Sequence, residues 1–243
     1  MSTAIARDRA AGLSPRARAR LAGVFQALEA FTSAGGQVLI LGRLVVSGNA
    51  AATAANLLTH ARLFWLGSAL SLLAVPCHLA WALLLHDLLA PVQRTLSRFA
   101  LLVIAVGCAV QAVTGLLYAA PMLVLANPGP FAALTPAQQQ ALAYAFVRLN
   151  GHAFATYLAF FGMWCALIGV LIARSRFLPR VLGVLMVLDG LGWMLYLHPP
   201  LAYQMFGIIA TVSALAEIPL LLWLLVVGVN EPRWREQAAA ERA

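Results

Sequence analysis

Three acidic residues, Glu29, Asp189 and Glu217, sit inside long apolar stretches where a bare charge is costly. No lysine occurs in the chain, and no arginine lies inside those stretches, so none of the acids has a cationic side chain beside it in sequence. Buried carboxyls in that setting hold a proton or bind a cation. His78 and Gln111 occupy comparable positions in two further apolar stretches. The local spacing extends each group into a stripe on one helical face. Gln26, Glu29, Ser33 and Gln37 recur at intervals of three or four residues, as do Gly107, Gln111, Thr114 and Tyr118. Asp189 shares a face with Trp193 and Tyr196, and Ser213 lies one turn from Glu217. Glu29, Gln111, Asp189, Glu217 and His78 are therefore the candidate ligand-binding residues, lining a polar seam or pocket at the middle of a bundle. Such a pocket suits a small ligand, an ion or a proton.

A metal is a weaker alternative. His78 with Asp and Glu suits zinc or a di-metal centre, but there is no HExxH and no Glu-x-x-His pair. His60, His152 and His198 all fall near one membrane boundary, where three histidines could ligate a metal or respond to pH. Nothing in their spacing shows that they converge, and a haem would need facing histidines at matched depth, whereas His78 and His86 share a helix. Cys77, Cys108 and Cys165 lie in apolar runs without CxxC spacing and read as small core residues. No P-loop, GxGxxG, GxSxG or SxxK is present, so no catalytic residue and no cofactor is assigned. Gly35-Gly36 and the glycines Gly183, Gly190 and Gly192 read as close-packing sites between helices.

These side chains need helices that cross a bilayer. With 63% hydrophobic and 10% charged residues among 243, the chain carries too little polar surface for a soluble domain. The apolar runs exceed the ~18–20 residues that a spanning helix requires, and no ten-residue alternation suggests a barrel. The expected fold is all-α: an integral membrane bundle of six transmembrane helices over residues 16–229, with short interfacial helices on the outer side. Residues 1–15 read as a disordered basic N-terminus and 230–243 as a polar tail, both cytoplasmic. Ser14-Pro15 opens the first span, Pro76 is placed to kink the second, and Asn127-Pro-Gly-Pro130 is the clearest loop. Thr135-Pro136 with Gln138 forms a capping box, and the helical pattern from there to Arg174 is too long for one span. Its first section reads as an amphipathic interfacial helix bending near Gly151, with Leu142, Ala145, Phe146 and Leu149 as its apolar face.

All sixteen basic residues are arginines, and thirteen fall on one side of a six-span topology, leaving only Arg43, Arg62 and Arg148 on the other. That bias places both termini in the cytoplasm. It also explains the net charge of +8 without nucleic acid, because no contiguous basic face results.

Three stretches carry a family resemblance: Gly42-Arg-Leu-Val-Val-Ser-Gly-Asn-Ala-Ala-Ala-Thr-Ala-Ala-Asn56, Arg176-Phe-Leu-Pro-Arg-Val-Leu-Gly-Val-Leu185, and Glu217 with Leu222-Trp-Leu-Leu-Val-Val-Gly-Val-Asn230. With the span spacing, they resemble the bacterial membrane family catalogued as domain of unknown function 4386, over Arg20 to Asn230. The resemblance implies a six-helix protein of a bacterial cytoplasmic membrane and no particular reaction. The residues themselves leave three readings open. One is a protein that binds or translocates a small ligand, ion or proton at midplane carboxylates. The others are a structural or accessory subunit, and, least supported, an intramembrane metal-dependent enzyme using His78. The lipid bilayer is the expected partner, and a homo-oligomer would compensate for the small size of a six-helix transporter.

Overall fold

A computed structural model describes residues 13–126 and 129–241. The expected disorder of the N-terminus falls almost wholly on residues outside that description, as does the Asn127-Pro128 part of the loop. Ser14 caps the first helix, its hydroxyl accepting from the Ala17 amide at 3.2 Å, with Pro15 at the first helical position. Helix α1 (Pro15–Leu44) follows, then α2 (Ala50–Thr59), α3 (Ala61–Leu89) and α4 (Arg94–Ala126). The Thr135/Gln138 capping box opens α5 (Pro136–Arg174). Helices α6 (Arg180–Leu197), α7 (Pro199–Gln204), α8 (Phe206–Val227) and α9 (Glu231–Ala240) complete the chain. Among the described residues, six helices (α1, α3, α4, α5, α6 and α8) are long and apolar enough to cross a membrane.

Helix α5 is the most buried of the six and packs along both α4 and α6, while α1 pairs with α3. It is one unbroken α-helix of 39 residues, roughly 58 Å at ~1.5 Å per residue, as the helical pattern up to Arg174 suggested. Gly151 causes no break, because glycine weakens a helix without obstructing its hydrogen bonds. The section before it packs through Ala143, Val147 and Asn150, leaving Leu149 half exposed.

Small residues let α5 and α6 touch through their backbones. A Cβ placed on Gly190 would lie 2.5 Å from the Gly162 carbonyl oxygen, and one on Gly183 would lie 2.6 Å from that of Gly169. Gly192 stands outside this seam, since its nearest neighbour would be Ile209 at an ordinary 3.6 Å. Gly36 makes a second close approach, its absent Cβ leaving room for the Gly67 carbonyl and Ser71 on α3. Here α1 widens into a π-helical stretch, Ala34–Leu41, and the Tyr118 hydroxyl of α4 donates to the Gly36 carbonyl at 3.2 Å. Helix α8 also closes in a π-helical turn, Trp223–Val227, stopped by Gly228 at a φ of 74° and ψ of −131°.

The segment after residue 230 is more than a polar tail. Asn230 caps α9, and the helix folds back on the end of the bundle where both termini meet. The Trp234 indole donates to the Leu88 carbonyl at 2.8 Å, and the Arg176 amide to Gln237 Oε1 at 3.0 Å. Arg94 pairs with Glu241 at 3.6 Å, Arg18 with Asp87 at 3.9 Å, and Arg174 donates to Gln93 at 3.0 Å. Exposed pairs of this kind contribute little singly, but together they tie the termini to both loops at that end.

Candidate functional site

Glu29 faces inward from α1, at 6% exposure, and meets two groups from helices distant in sequence. The Tyr157 hydroxyl of α5 donates to Glu29 Oε1 at 3.3 Å, and His78 Nδ1 of α3 lies 3.0 Å from the same hydroxyl. His78 Nδ1 is also 3.7 Å from Glu29 Oε1 directly. His78 is fully buried in an aromatic box of Trp81, Tyr157, Phe161 and Trp164, with ring centroids 5.1–6.0 Å away. Its other nitrogen, Nε2, has no partner among the described residues.

This three-residue chain has two consistent hydrogen-bond patterns. In one, a carboxylic Glu29 donates to Tyr157, which donates to an unprotonated His78 Nδ1. In the other, His78 Nδ1–H donates to Tyr157, which donates to a Glu29 carboxylate. Passing between them moves one proton from Glu29 to His78 by shifting both hydrogens along the chain.

A second group joins α5, α6 and α8. The Trp193 indole donates to Ser213 Oγ at 3.3 Å, and the Ser213 hydroxyl donates to Glu217 Oε1 at 2.6 Å. Asp189, 1% exposed, lies beside the Cys165 thiol, Ser213 and Trp193. Even so, neither carboxyl oxygen has a partner with full hydrogen-bond geometry. Such an orphan is costly in low dielectric unless it carries a proton or meets a cation. Glu217 keeps some exposed surface, which in a spanning helix meets lipid or a neighbouring helix.

The two groups adjoin. Glu217 lies close enough to both Asp189 and Glu29 for their charges to interact, and Gln26 Nε2 donates to the Glu217 carbonyl at 3.3 Å. The interior acids thus fall into two neighbouring groups, Glu29 hydrogen-bonded with Tyr157 and His78, and Asp189 beside the Ser213–Glu217 bond. Gln111 stands apart from both. It is buried on α4 with its amide oxygen unpartnered, and no side-chain hydrogen bond links it to either set among the described residues.

The sequence profile described as a domain of unknown function, DUF4386, matches residues 21–228. The chain belongs to that family. The match spans every helix that carries an interior acid, from α1 to α8. No curated protein and no solved structure shows a significant match.

Among the described residues, no group of three or more His, Cys, Asp or Glu side chains is arranged to hold a metal. His78 meets one carboxylate, and His60, His152 and His198 are each exposed without forming such a group. Two members of the site were not singled out by spacing. Tyr157 is the hinge of the Glu29 set, and its signal was a hydroxyl near the middle of a span without an interior acid. Cys165 is fully buried beside Asp189, where its residue type alone suggested only core packing.

Proposed function

We propose that this protein is a membrane-embedded proton-binding bundle, in which Glu29, Asp189 and Glu217 take up protons and exchange them within a connected interior. The observation carrying this reading is Asp189: a buried carboxyl beside a thiol, a hydroxyl and an indole but with no fully formed hydrogen bond, next to a second acid and with no cationic side chain among the groups acting on it. A proton satisfies that carboxyl without needing space. Cys165 beside Asp189, and His78, Trp81 and Trp164 in the Glu29 set, are all at or below 1% exposure, which favours a proton over an organic solute. The Glu29–Tyr157–His78 chain supports the same reading, because it stores a proton in two interchangeable positions. The arginine bias supports an orientation with both termini on the cytoplasmic side of the membrane.

Infrared difference spectra of reconstituted protein across an acid-to-alkaline step test this. Protonated carboxyl bands are expected to change in wild type, and Asp189→Asn and Glu217→Gln each to remove one while the helical fold persists. Spectra without a carboxyl change, or unaltered by both substitutions, would refute the proposal. A structural or accessory subunit is the second reading. It is favoured by the glycine seam of α5 and α6 and by Gln26 bridging α1 to α8, which together suit helix adhesion.

A further inference from the structure

At the end of the bundle opposite the termini, a cavity of about 270 Å³ lies between the π-helical stretch of α1 and the first half of α5. We propose that it binds the phosphate head of an anionic membrane lipid. The site is separate from the interior acids and does not depend on their role.

The walls are largely apolar, with Leu41, Val147 and Phe154 among them, but the polar groups in them are mainly of one kind. Gln37 contributes a side-chain amide whose nitrogen has no hydrogen-bond partner among the described residues. Arg148 lines the cavity and takes part in none of the ion pairs among the described residues. His152 and the Tyr203 hydroxyl add further hydrogen-bonding groups. A cluster rich in unused donors, including a free guanidinium, calls for an oxygen-rich anion.

Charge over the whole molecule points the same way. The described acids divide between the interior (Glu29, Asp189, Glu217) and the terminal end (Asp87, Glu231, Glu236, Glu241), leaving this end with Arg43, Arg62 and Arg148 and no carboxylate. No acid among the described residues competes there for an incoming anion.

Size and surroundings select a lipid. At ~30 Å³ per water the space holds roughly nine waters, slightly less than the ~300 Å³ at which pockets for whole small ligands begin. A head group and its first carbons fit, and the acyl chains stay outside. They have a surface to lie on: Val38, on the cavity wall, and Leu39 beside it are 54% and 55% exposed on a spanning helix, hence turned to the hydrocarbon. A free anion would make no use of that surface.

Native mass spectrometry of the purified full chain tests the site, with dioctanoyl phosphatidylglycerol, dioctanoyl phosphatidylcholine and inorganic phosphate as probes. The phosphatidylglycerol is expected to bind at least about tenfold more tightly than the phosphatidylcholine, as a charge-assisted contact implies. Arg148→Gln should remove that preference. Gly151→Leu should lower binding of both lipids, because a Cβ there meets nothing within 4 Å and the side chain grows into the cavity. Arg62→Gln, at the same end but not on the cavity wall, should bind like wild type, and melting curves should show all variants folded. Three results would each overturn the proposal. They are equal binding of the two lipids by wild type, an Arg62→Gln loss matching that of Arg148→Gln, and displacement of lipid by equimolar inorganic phosphate, which would make the free anion the ligand.

Discussion

Replacing Tyr157 by phenylalanine probes the Glu29 set most directly. The substitution keeps the ring, which lies against Phe154 and Phe161 with centroids 5.5 Å and 6.1 Å away, so no cavity opens. It removes one hydroxyl and with it two hydrogen bonds, to Glu29 at 3.3 Å and His78 at 3.0 Å. Interhelical hydrogen bonds within membranes average ~0.6 kcal/mol and reach ~1.7 kcal/mol, so the loss should be about 1–3 kcal/mol. The upper part of that range applies if Glu29 and His78 find no substitute, since His78 Nε2 already lacks one. Reversible unfolding by steric trapping in bicelles measures the change. A double-mutant cycle with His78→Phe should show coupling between the two sites, because they share one bond. A loss under ~0.5 kcal/mol together with additive effects would mean that Tyr157 only fills space, and the relay would fall with it.

Two further substitutions test the scaffold. Gly190→Ala puts a methyl group 2.5 Å from the Gly162 carbonyl and should destabilise by about 1–3 kcal/mol in the same unfolding assay, despite alanine's better helix propensity, whereas Gly192→Ala should be nearly neutral. Equal behaviour of the two would contradict the close backbone contact of α5 and α6. Trp234→Phe loses the bond to the Leu88 carbonyl, about 0.5–1.5 kcal/mol, and should speed amide exchange across Glu231–Ala240. Unchanged exchange there would mean that α9 is held by other contacts.

The spans were legible because bilayer thickness imposes a length on apolar runs, and Ser14-Pro15 and Thr135-Pro136 announce helix starts by capping chemistry that acts locally. Helix α9 was not, because Trp234 and Ala238 are the residues that bring apolar surface to the bundle, while Glu231 and Gln237 meet it through polar bonds, and two residues make no apolar stripe. The π-helical stretches leave no hydropathy signal, since a shift in hydrogen-bond register changes no residue type. At the site, acids in apolar runs identify themselves by their cost. Their grouping depends on which helices adjoin. The stripe of Gln26, Glu29, Ser33 and Gln37 fixed a face of α1, but not that Gln26 would reach α8 while Gln37 lined a cavity beside α5. Gln111 shows the converse: its neighbours Thr114 and Tyr118 serve helix contacts, through Asn150 and Gly36.

The division of the interior acids into two sets bears on biosynthesis. Glu29 and its partners His78 and Tyr157 belong to the first four spans, whereas Asp189, Trp193, Ser213 and Glu217 share the last two. In a chain emerging N-terminus first, the first four spans therefore bring the partners of Glu29 and the last two bring those of Glu217. Neither of these two carboxyls has to wait in hydrocarbon for a helix from the other group. The halves themselves are held by the backbone contact of α5 with α6, and the links between the two sets of acids are slight, a glutamine reaching a carbonyl and a thiol beside a carboxyl.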